Sequence, residues 1–335
     1  MINTIYIEKA VRNHERTNKI LKRFPDARRI SCDRYGEVFN PRRQNFRIQK
    51  QNPALIIAEK FKNFLLPAPE GFGIGGNKNF YFSHMLNCLY DCRYCFLQGM
   101  FQSANYVLFV NYEDFMKDID KTINKLQNEE TATFFSGYDC DSLALESVTE
   151  FAKYFLPFFR KRPRALLELR TKSLNTQVLL QSESFNNCII AFSFTPEEVS
   201  KVTEIGVPSV SNRIAMMEKL SKAGWKIGLR LDPLIYHDNY KRNYKKLISK
   251  IFYNIENESF HSVSVGAMRF PKSIYNKIER LYPDSKLLAN ALESTKGMVS
   301  YHKNIEQEMI QYCRSYIAKY LPTEKIFQCT PWADE

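Results

Sequence analysis

Short apolar runs alternate along most of this chain with segments whose apolar residues repeat at helical spacing. ALLELRT (165–171) and IIAFSF (189–194) are mostly apolar and of strand length, so they predict buried strands. In VSNRIAMMEKLSKAG (210–224) the apolar positions fall on one helical face, and Gly224 is placed to end that helix. This alternation predicts a parallel sheet whose strands are joined by outer helices.

Repeated strand and helix units indicate the architecture from residue 105 onward. We predict strands at 131–137, 165–171, 189–194, 225–232 and 262–268, and helices at 112–128, 146–160, 210–224 and 240–256, with a short helix from Asn175 and another from Pro271. A series of such units forms a full or partial α/β barrel. The expected fold class is therefore α/β.

Polar side chains follow the predicted strands at the points where those strands end. Ligands of parallel sheets bind at the carboxyl ends of the strands, so these residues outline a candidate pocket. A single serine or aspartate at such a position is more often a helix cap, and the set as a whole carries the inference. The set is Ser136, Asp139, Cys140, Asp141, Thr171, Lys172, Ser193, Thr195, Arg230, Asp232 and Arg269.

Composition indicates a globular protein, because 44% of the 335 residues are hydrophobic and 14% are aromatic. No run reaches the roughly 18 apolar residues of a membrane-spanning helix. The first residues, MINTIYIEKAVRNHE, carry charges where a signal peptide needs an apolar stretch. We expect a cytoplasmic protein with no membrane partner, in a compartment where thiols stay reduced.

Positive charge is concentrated in the first quarter of the chain. Residues 1–80 hold 16 Lys and Arg against 7 Asp and Glu, a surplus of nine within a net charge of +12. Basic side chains interleaved with an aromatic residue suit phosphate contacts and base stacking, although in a generic protein such a stretch is more often a solvated basic surface. The densest stretch contains Arg42, Arg43, Phe46, Arg47 and Lys50.

Three of the eight cysteines cluster in MLNCLYDCRYCFLQG (85–99), with the spacing C-x3-C-x2-C. Two metal sites compete for them. His84 could complete a structural zinc site with three cysteines. A [4Fe–4S] cluster takes one cysteine per iron, so three thiolates leave one iron without a protein ligand. The clustered residues are Cys88, Cys92 and Cys95, and the other five cysteines are scattered singly.

The C-x3-C-x2-C spacing, with Tyr94 directly before the last cysteine, resembles the motif of the radical S-adenosylmethionine (SAM) superfamily. In that superfamily SAM chelates the open iron, and its reductive cleavage yields a 5′-deoxyadenosyl radical. The resemblance implies a [4Fe–4S] cluster and SAM as cofactors. The protein would supply orientation and exclude water, while the cofactors carry the radical chemistry.

Beyond the cysteines, the sequence resembles the spore photoproduct lyase family over nearly the whole chain. The resemblance implies a partial (β/α)6 TIM-like barrel and a lyase that reverses a thymine–thymine photoproduct in DNA. We expect a basic N-terminal region (1–80), a barrel (81–275) and a C-terminal region on the substrate side (276–335). Matching stretches include RQNFRIQKQNPALI (43–56), LPAPEGFGIGG (66–76), LELRTKS (167–173), HSVSVGAMRFPKSIY (261–275) and the long segment 193–236.

The resemblance also assigns roles to individual residues. Cys88, Cys92 and Cys95 would hold the cluster, and Lys172 matches a lysine that contacts the SAM carboxylate. The residues expected to bind SAM are Ser136, Gly137, Ser142, Lys172, Ser193 and Arg230, and those expected to bind nucleic acid are Arg42, Arg43, Arg47, Lys50, Arg269 and Tyr301.

The hydrogen donor is the point at which the sequence departs from the family. The family returns hydrogen to the substrate radical from a cysteine after the second strand, with tyrosines on both sides of the last cluster cysteine. Here Tyr94 is present, but the other tyrosine is replaced by Phe96, which has no hydroxyl. A gapless register places Tyr138 at the cysteine position, and Cys140 follows on the same face about 6–7 Å further along. The candidate catalytic residues are Cys140, Tyr138 and Tyr94.

These departures leave the substrate open. The C-terminal segment KGMVSYHKN (296–304) keeps Tyr301 without the glycines of the family. The alternatives are a radical SAM enzyme of the same family acting on another modified nucleotide, on RNA or on a non-nucleic-acid molecule, and a zinc-stabilised nucleic-acid-binding protein. The expected partners are DNA with a thymine photoproduct and an electron donor such as flavodoxin or ferredoxin, with the chain acting as a monomer.

Overall fold

The computed structural model describes residues 2–289 and 292–329. In chain order the strands are β1 Thr4–Glu8, β2 Arg28–Cys32, β3 Leu55–Ala58, β4 Leu66–Pro67, β5 Asn79–Tyr81, β6 Met85–Leu86, β7 Asp91–Cys92, β8 Tyr106–Phe109, β9 Ala132–Phe135, β10 Ala165–Thr171, β11 Cys188–Ser193, β12 Glu204–Ile205, β13 Lys226–Leu234, β14 Phe260–Ala267, β15 Arg269–Pro271, β16 Leu292–Thr295, β17 Met298–Tyr301 and β18 Ile326–Gln328. The helices are α1 Glu15–Arg23, α2 Gly36–Phe39, α3 Phe46–Gln51, α4 Leu97–Met100, α5 Tyr112–Ile123, α6 Glu146–Thr149, α7 Phe151–Arg160, α8 Gln177–Leu180, α9 Glu197–Thr203, α10 Val210–Lys222, α11 Tyr240–Asn254, α12 Lys272–Leu281 and α13 Lys303–Ile317. Within these ranges no helix has the length and apolar composition that crossing a bilayer requires.

The main sheet has eight strands in the order β18-β14-β13-β11-β10-β9-β5-β4. Its neighbouring strands are parallel, except for the antiparallel edge pair β4 and β5. The sheet curls into a half barrel, which confirms the predicted partial α/β barrel. Strand β10 has the predicted bounds, and β11 and β13 begin and end within two residues of theirs.

Burial explains why these strands could be read from the sequence. Every residue of β11 is buried, as expected for a central parallel strand that is covered on both faces. Helix α10 buries Ile214, Met217 and Leu220, which follow one another at spacings of three. The apolar run of β11 and the apolar face of α10 are both visible in the sequence, so both elements could be predicted from it.

A second sheet in the N-terminal part of the chain was not predicted. Its order is β2-β1-β3-β8-β6, with parallel pairs throughout except between β6 and β8. Strands β6 and β8 lie beyond residue 80, so the expected domain boundary cuts through this sheet. The sheet also shares its apolar core with Cys140 and Leu145 of the barrel. The basic region is therefore a folded layer joined to the barrel.

The C-terminal region is joined to the barrel in two places. Strand β18 pairs with β14 at the edge of the main sheet, and β17 pairs with β15 in a three-stranded sheet of order β15-β17-β16. Residues 290, 291 and 330–335 of the expected region 276–335 lie outside the described residues. The sheet brings Met298 to the cavity described below.

The predicted helix 146–160 is divided into α6 and α7. Glu150 has a left-handed backbone (φ 50°), which interrupts the helix between the two segments. The buried Glu146 carboxylate accepts hydrogen bonds from the backbone N–H groups of Ala152 (3.0 Å) and Lys153 (3.3 Å). Glu146 therefore caps the first turn of α7, a tertiary feature that periodicity does not reveal.

Candidate active site

The carboxyl ends of the main-sheet strands and the loop that carries the three clustered cysteines enclose a cavity of about 410 Å³. We call residues 88–95 the cysteine loop. The cavity is where the parallel sheet predicts a ligand. The candidate site residues that line it are Cys88, Cys92, Cys95, Tyr94, Gly137, Tyr138, Cys140, Asp141, Thr171, Lys172, Ser193, Asp232, Lys50 and Arg269.

The cysteine loop is held from two sides. On one side the Lys50 ammonium of α3 donates to the Cys88 carbonyl oxygen at 2.5 Å. On the other side β7 pairs with β12, with Cys92 opposite Glu204, and the Arg93 N–H donates to the Thr203 carbonyl at 2.8 Å. The loop is therefore positioned by contacts with two distant segments of the chain.

The three cysteines are free thiols on one wall of the cavity. Burial raises the pKa of Cys88 to about 12 and also raises the pKa values of Cys92 and Cys95, while Lys172 opposes the rise at the latter two. Buried thiols beside lysines suit an iron cluster, because metal binding requires their deprotonation. The residues therefore fit a [4Fe–4S] cluster that has one iron open to a ligand.

The zinc alternative does not fit this geometry. His84 is fully buried and stacked on Phe151, with ring centroids 3.8 Å apart, and burial lowers its pKa to about 3. It is not among the residues that line the cavity. Within the part of the chain that the structure describes, no group of three or more His, Cys, Asp or Glu side chains is arranged to hold a single metal ion.

The end of β9 shows why glycine occupies position 137. A Cβ there would lie 2.9 Å from the Arg170 Cβ and 3.0 Å from both the Arg170 carbonyl oxygen and the Ser142 hydroxyl. The hydroxyl groups of Ser136 and Ser142 are hydrogen-bonded, with their oxygens 2.8 Å apart. The Ser142 hydroxyl oxygen also accepts a hydrogen bond from the Arg170 backbone N–H at 3.1 Å. These two serines lie behind the cavity lining, and their expected contact with SAM stays a prediction.

Burial sets two further candidate residues apart. Arg230 of β13 is fully buried, pairs with Glu168 of β10 at 2.7 Å across the intervening β11, and does not line the cavity. Burial alone would raise the pKa of Glu168, but Arg230 and Arg170 hold it at about 2. Tyr301 is also fully buried, and its hydroxyl accepts from the Tyr236 N–H at 3.0 Å, so it offers no surface to nucleic acid.

Cys140 and Tyr138 both line the cavity. The Cys140 thiol is buried and donates only a long contact, 3.9 Å, to the Ser136 carbonyl oxygen. Burial holds the pKa of Cys140 well above its ordinary value, so the thiol keeps its hydrogen. The Tyr138 ring packs on Tyr81 at 4.4 Å and lies 5.5 Å from Phe96.

Tyr94 is placed differently from the other two candidates. It lines the cavity, but its hydroxyl donates to the buried carboxylate of Glu204. The hydrogen of Tyr94 is thus already engaged away from the cavity. Sequence reasoning missed Glu204 completely, because the segment VTEIGV carries no motif.

The basic residues expected to contact nucleic acid fall into two groups. Arg42, Arg43 and Arg47 are exposed, and the Arg47 guanidinium lies 5.6 Å from the Tyr282 ring. Lys50 instead holds the cysteine loop, and Arg269 is at the cavity, where it bonds to the Ala267 carbonyl at 2.7 Å and to Asp232 at 3.3 Å.

Sequence reasoning also missed Arg170, which lines the cavity and donates to Glu168 at 3.0 Å. A signal was available, since Glu168 and Arg170 are charged residues within the otherwise apolar run ALLELRT. Charged side chains in a buried strand are paired or functional.

Comparison with known proteins identifies the family. The profile described as spore photoproduct lyase matches residues 80–330. The spore photoproduct lyase of Bacillus subtilis (strain 168) is 26% identical over 252 residues, covering 71% of this chain and 72% of that protein. The enzyme of Geobacillus sp. (strain Y412MC61) is 25% identical over 249 residues, covering 71% and 73%.

Solved structures show the same fold. A spore photoproduct lyase mutant with bound AdoMet and dinucleoside spore photoproduct matches with a TM-score of 0.84 and 19% identity over 98% of each chain. A spore photoproduct lyase complexed with dinucleoside spore photoproduct has a TM-score of 0.81 at 18% identity, again over 98% of each chain. Because the profile spans well over half of the sequence, the chain belongs to the spore photoproduct lyase family.

Proposed function

We propose that this protein is a radical SAM lyase that reverses a thymine–thymine photoproduct in DNA. Family membership supports this function, and the observation that carries it is that three free thiols line one cavity together with Lys172 and Ser193. An exposed, basic N-terminal segment supports a nucleic-acid substrate.

The cofactor positions follow from the cavity lining. Cys88, Cys92 and Cys95 would hold a [4Fe–4S] cluster, and Lys172 and Ser193 would contact SAM, with Gly137 leaving room at the wall. The bound cofactors would supply a 5′-deoxyadenosyl radical for hydrogen abstraction. The protein orients the reactants and excludes water, which protects radical chemistry from side reactions.

We assign the return of hydrogen to Cys140. Its thiol lines the cavity and stays protonated, and the contact that it donates, to the Ser136 carbonyl oxygen, is 3.9 Å long, so its hydrogen is available. Tyr138, which also lines the cavity, is the alternative donor. Phe96 replaces a hydroxyl that the family relay uses, and the Tyr138 ring, which packs at a tilt on Tyr81, lies 5.5 Å from it.

A second candidate function keeps the radical chemistry and changes the substrate. It is favoured by Phe96 and by Tyr138, which occupies the position of the family's donor cysteine. The substrate would then be another modified nucleotide, RNA or a non-nucleic-acid molecule. In either case we expect a small electron donor of the flavodoxin or ferredoxin type, a monomeric enzyme and a cytoplasmic location.

The deciding experiment is anaerobic incubation of the reconstituted protein with SAM, dithionite and an oligonucleotide that carries the spore photoproduct. Thymine recovery and 5′-deoxyadenosine are measured together by mass spectrometry, with Cys88→Ala as the control that lacks a cluster ligand. We expect restored thymines in the wild type and neither product in the variant. Deoxyadenosine without thymine recovery would favour the second candidate, and retained SAM cleavage by Cys88→Ala would refute the cluster assignment.

A further inference from the structure

A buried carboxylate behind the cysteine loop joins most of the groups that shape the cavity wall. Glu204 lies in β12 directly opposite Cys92 in the β7–β12 pair. We call Glu204 and its partners Tyr94, Lys172, Ser200 and Arg213 the Glu204 network. All five side chains are buried or nearly so, and Glu204 itself belongs to no sequence motif.

The two oxygens of the Glu204 carboxylate face opposite ways. Oε1 accepts from the Tyr94 hydroxyl and lies 3.7 Å from the Lys172 Nζ, and both of these residues line the cavity. Oε2 accepts from the Arg213 guanidinium and from the Ser200 hydroxyl, each at 2.5 Å, on the core side. One carboxylate thus connects the cavity wall to a rigid anchor.

Arg213 extends this anchor to a second strand end. Its Nη1 donates to the Ser193 carbonyl oxygen at 2.7 Å, and Ser193 lines the cavity. Fully buried charges that hold one another in this way are difficult to move, because removing either partner leaves the other uncompensated. The network therefore holds Lys172, Ser193 and the strand carrying Cys92 in one fixed arrangement.

The charges of the network indicate the kind of ligand group it faces. Arg213 and Lys172 contribute two positive charges, and Glu204 contributes one negative charge at 2.5 Å from Arg213. The positive charge that Glu204 does not offset within the network is on Lys172, at the cavity side, and Cys92, Cys95 and Asp141 are the other ionisable groups near it. An ammonium group in this position suits an anionic ligand group.

We propose that Glu204 is a positioning residue, which orients the Lys172 ammonium and fixes the cysteine loop for the carboxylate end of SAM. This inference rests on the proposed function, since it concerns the same cavity. Residues that orient ligand-binding groups in this way typically cost 10–100-fold in affinity or activity when they are replaced. Glu204 touches no ligand itself and acts through Lys172, Tyr94 and the loop.

The test compares Glu204→Gln and Glu204→Asp with the wild type after anaerobic reconstitution. Three readouts are used: iron content, SAM affinity by equilibrium dialysis, and the change in the EPR signal of the reduced cluster when SAM is added. We expect the dissociation constant for SAM to rise at least about tenfold in Glu204→Gln, with an altered EPR response and partial rescue in Glu204→Asp.

Glu8→Gln is the matched control. Glu8 is a fully buried carboxylate of the N-terminal sheet that lies 3.5 Å from Arg34 and accepts from the Glu59 N–H at 2.8 Å, and none of these three residues lines the cavity. This variant should lower the unfolding temperature while leaving SAM affinity within about twofold. If Glu204→Gln does not fold, Glu204→Asp decides the question, because its shorter side chain weakens the contact with Lys172 and should still raise the dissociation constant for SAM.

The outcomes separate this inference from the proposed function. A wild-type protein that assembles no cluster or binds no SAM overturns both. A wild type that binds SAM, together with a folded Glu204 variant of equal affinity and equal EPR response, overturns the positioning role alone. An equal loss of affinity in Glu8→Gln would also overturn it, because the effect would then be one of general stability.

Discussion

Cys140 and Tyr94 show how the surroundings of a side chain decide what it can donate. Both residues line the cavity, and both carry a transferable hydrogen. The Tyr94 hydroxyl is committed to a carboxylate, which accepts strongly, whereas the Cys140 thiol donates only over 3.9 Å, to the Ser136 carbonyl oxygen. The residue type alone did not separate these two candidates, and the direction of their hydrogen bonds does.

This difference predicts how variants of the two wall residues behave. Cys140→Ala removes the thiol hydrogen while leaving the cysteine loop intact, so SAM cleavage should continue and the substrate radical should form side products in place of thymine. Tyr138→Phe should keep the wild-type product profile, because the phenyl ring still packs on Tyr81. Liquid chromatography with mass spectrometry of the oligonucleotide products measures both.

An unchanged product profile in Cys140→Ala, combined with side products in Tyr138→Phe, would assign the donor role to Tyr138 and not to Cys140. Tyr94→Phe serves as the comparison for a lining residue whose hydroxyl is already engaged.

At the scale of elements, the start of helix α7 depends on the protonation state of one buried carboxyl group, that of Glu146. Glu146 accepts from the N–H groups of Ala152 and Lys153 in the first turn of α7. Burial raises the pKa of Glu146 from 4.5 to about 7, although these hydrogen bonds act in the opposite direction. The folded state therefore binds a proton at Glu146 more tightly than the unfolded chain does.

The sign of this shift predicts a pH dependence. The contribution of protonated Glu146 to the stability of the fold is fully present below about pH 4.5 and is lost as the pH rises through about 7. Glu146→Gln keeps an acceptor oxygen and removes the titration, so its free energy of unfolding should improve relative to wild type between pH 5 and pH 8. The relative gain is at most about 3 kcal/mol.

Urea unfolding of both proteins at several pH values in this range measures the difference. A variant-minus-wild-type difference that stays constant across the range would contradict the assignment. Other titrating groups are common to both proteins and cancel in the comparison.

On the scale of the whole molecule, positive charge is distributed unevenly. The surplus of nine positive charges in residues 1–80 lies in a layer that is folded onto the barrel through a shared core. Arg42, Arg43 and Arg47 are exposed within this layer, whereas Lys50 reaches inward to the cysteine loop. Surface arginines of this kind bind phosphates in a salt-dependent manner.

We therefore predict that duplex DNA binds with a strong dependence on salt. Replacing Arg42, Arg43 and Arg47 by alanine should reduce the slope of log affinity against log salt by about 2 to 3, since each phosphate contact contributes about 0.9. The control replaces Lys117, Lys121 and Lys125, which are also exposed and lie on or just after α5, a helix that contributes nothing to the cavity wall.

Fluorescence anisotropy of a labelled duplex at several salt concentrations distinguishes the two sets. Equal slopes for the wild type and the arginine variant would mean that phosphate contacts lie elsewhere. If the lysine variant showed an equally reduced slope, the effect would come from the net charge of the protein and not from specific phosphate contacts.

Much of this protein was determined by its sequence alone. The apolar runs placed the barrel strands, because burial on both faces of a parallel sheet imposes continuous hydrophobicity, and β10 has its predicted bounds. The spacing of Cys88, Cys92 and Cys95 indicated one metal centre, since three thiols within eight residues lie close together, although distant segments hold the loop that carries them.

Only the tertiary structure decided which residues surround that centre. Arg230 was expected at the cavity and lies in a buried ion pair, while Glu204, which carries no sequence signal, holds Lys172 and Tyr94. The sequence also did not predict the N-terminal sheet. Its strands are short, and its pairings join residues on both sides of the domain boundary that we expected after residue 80. Such features depend on contacts between distant segments, and the direction of a side chain within the folded chain is not encoded in local periodicity.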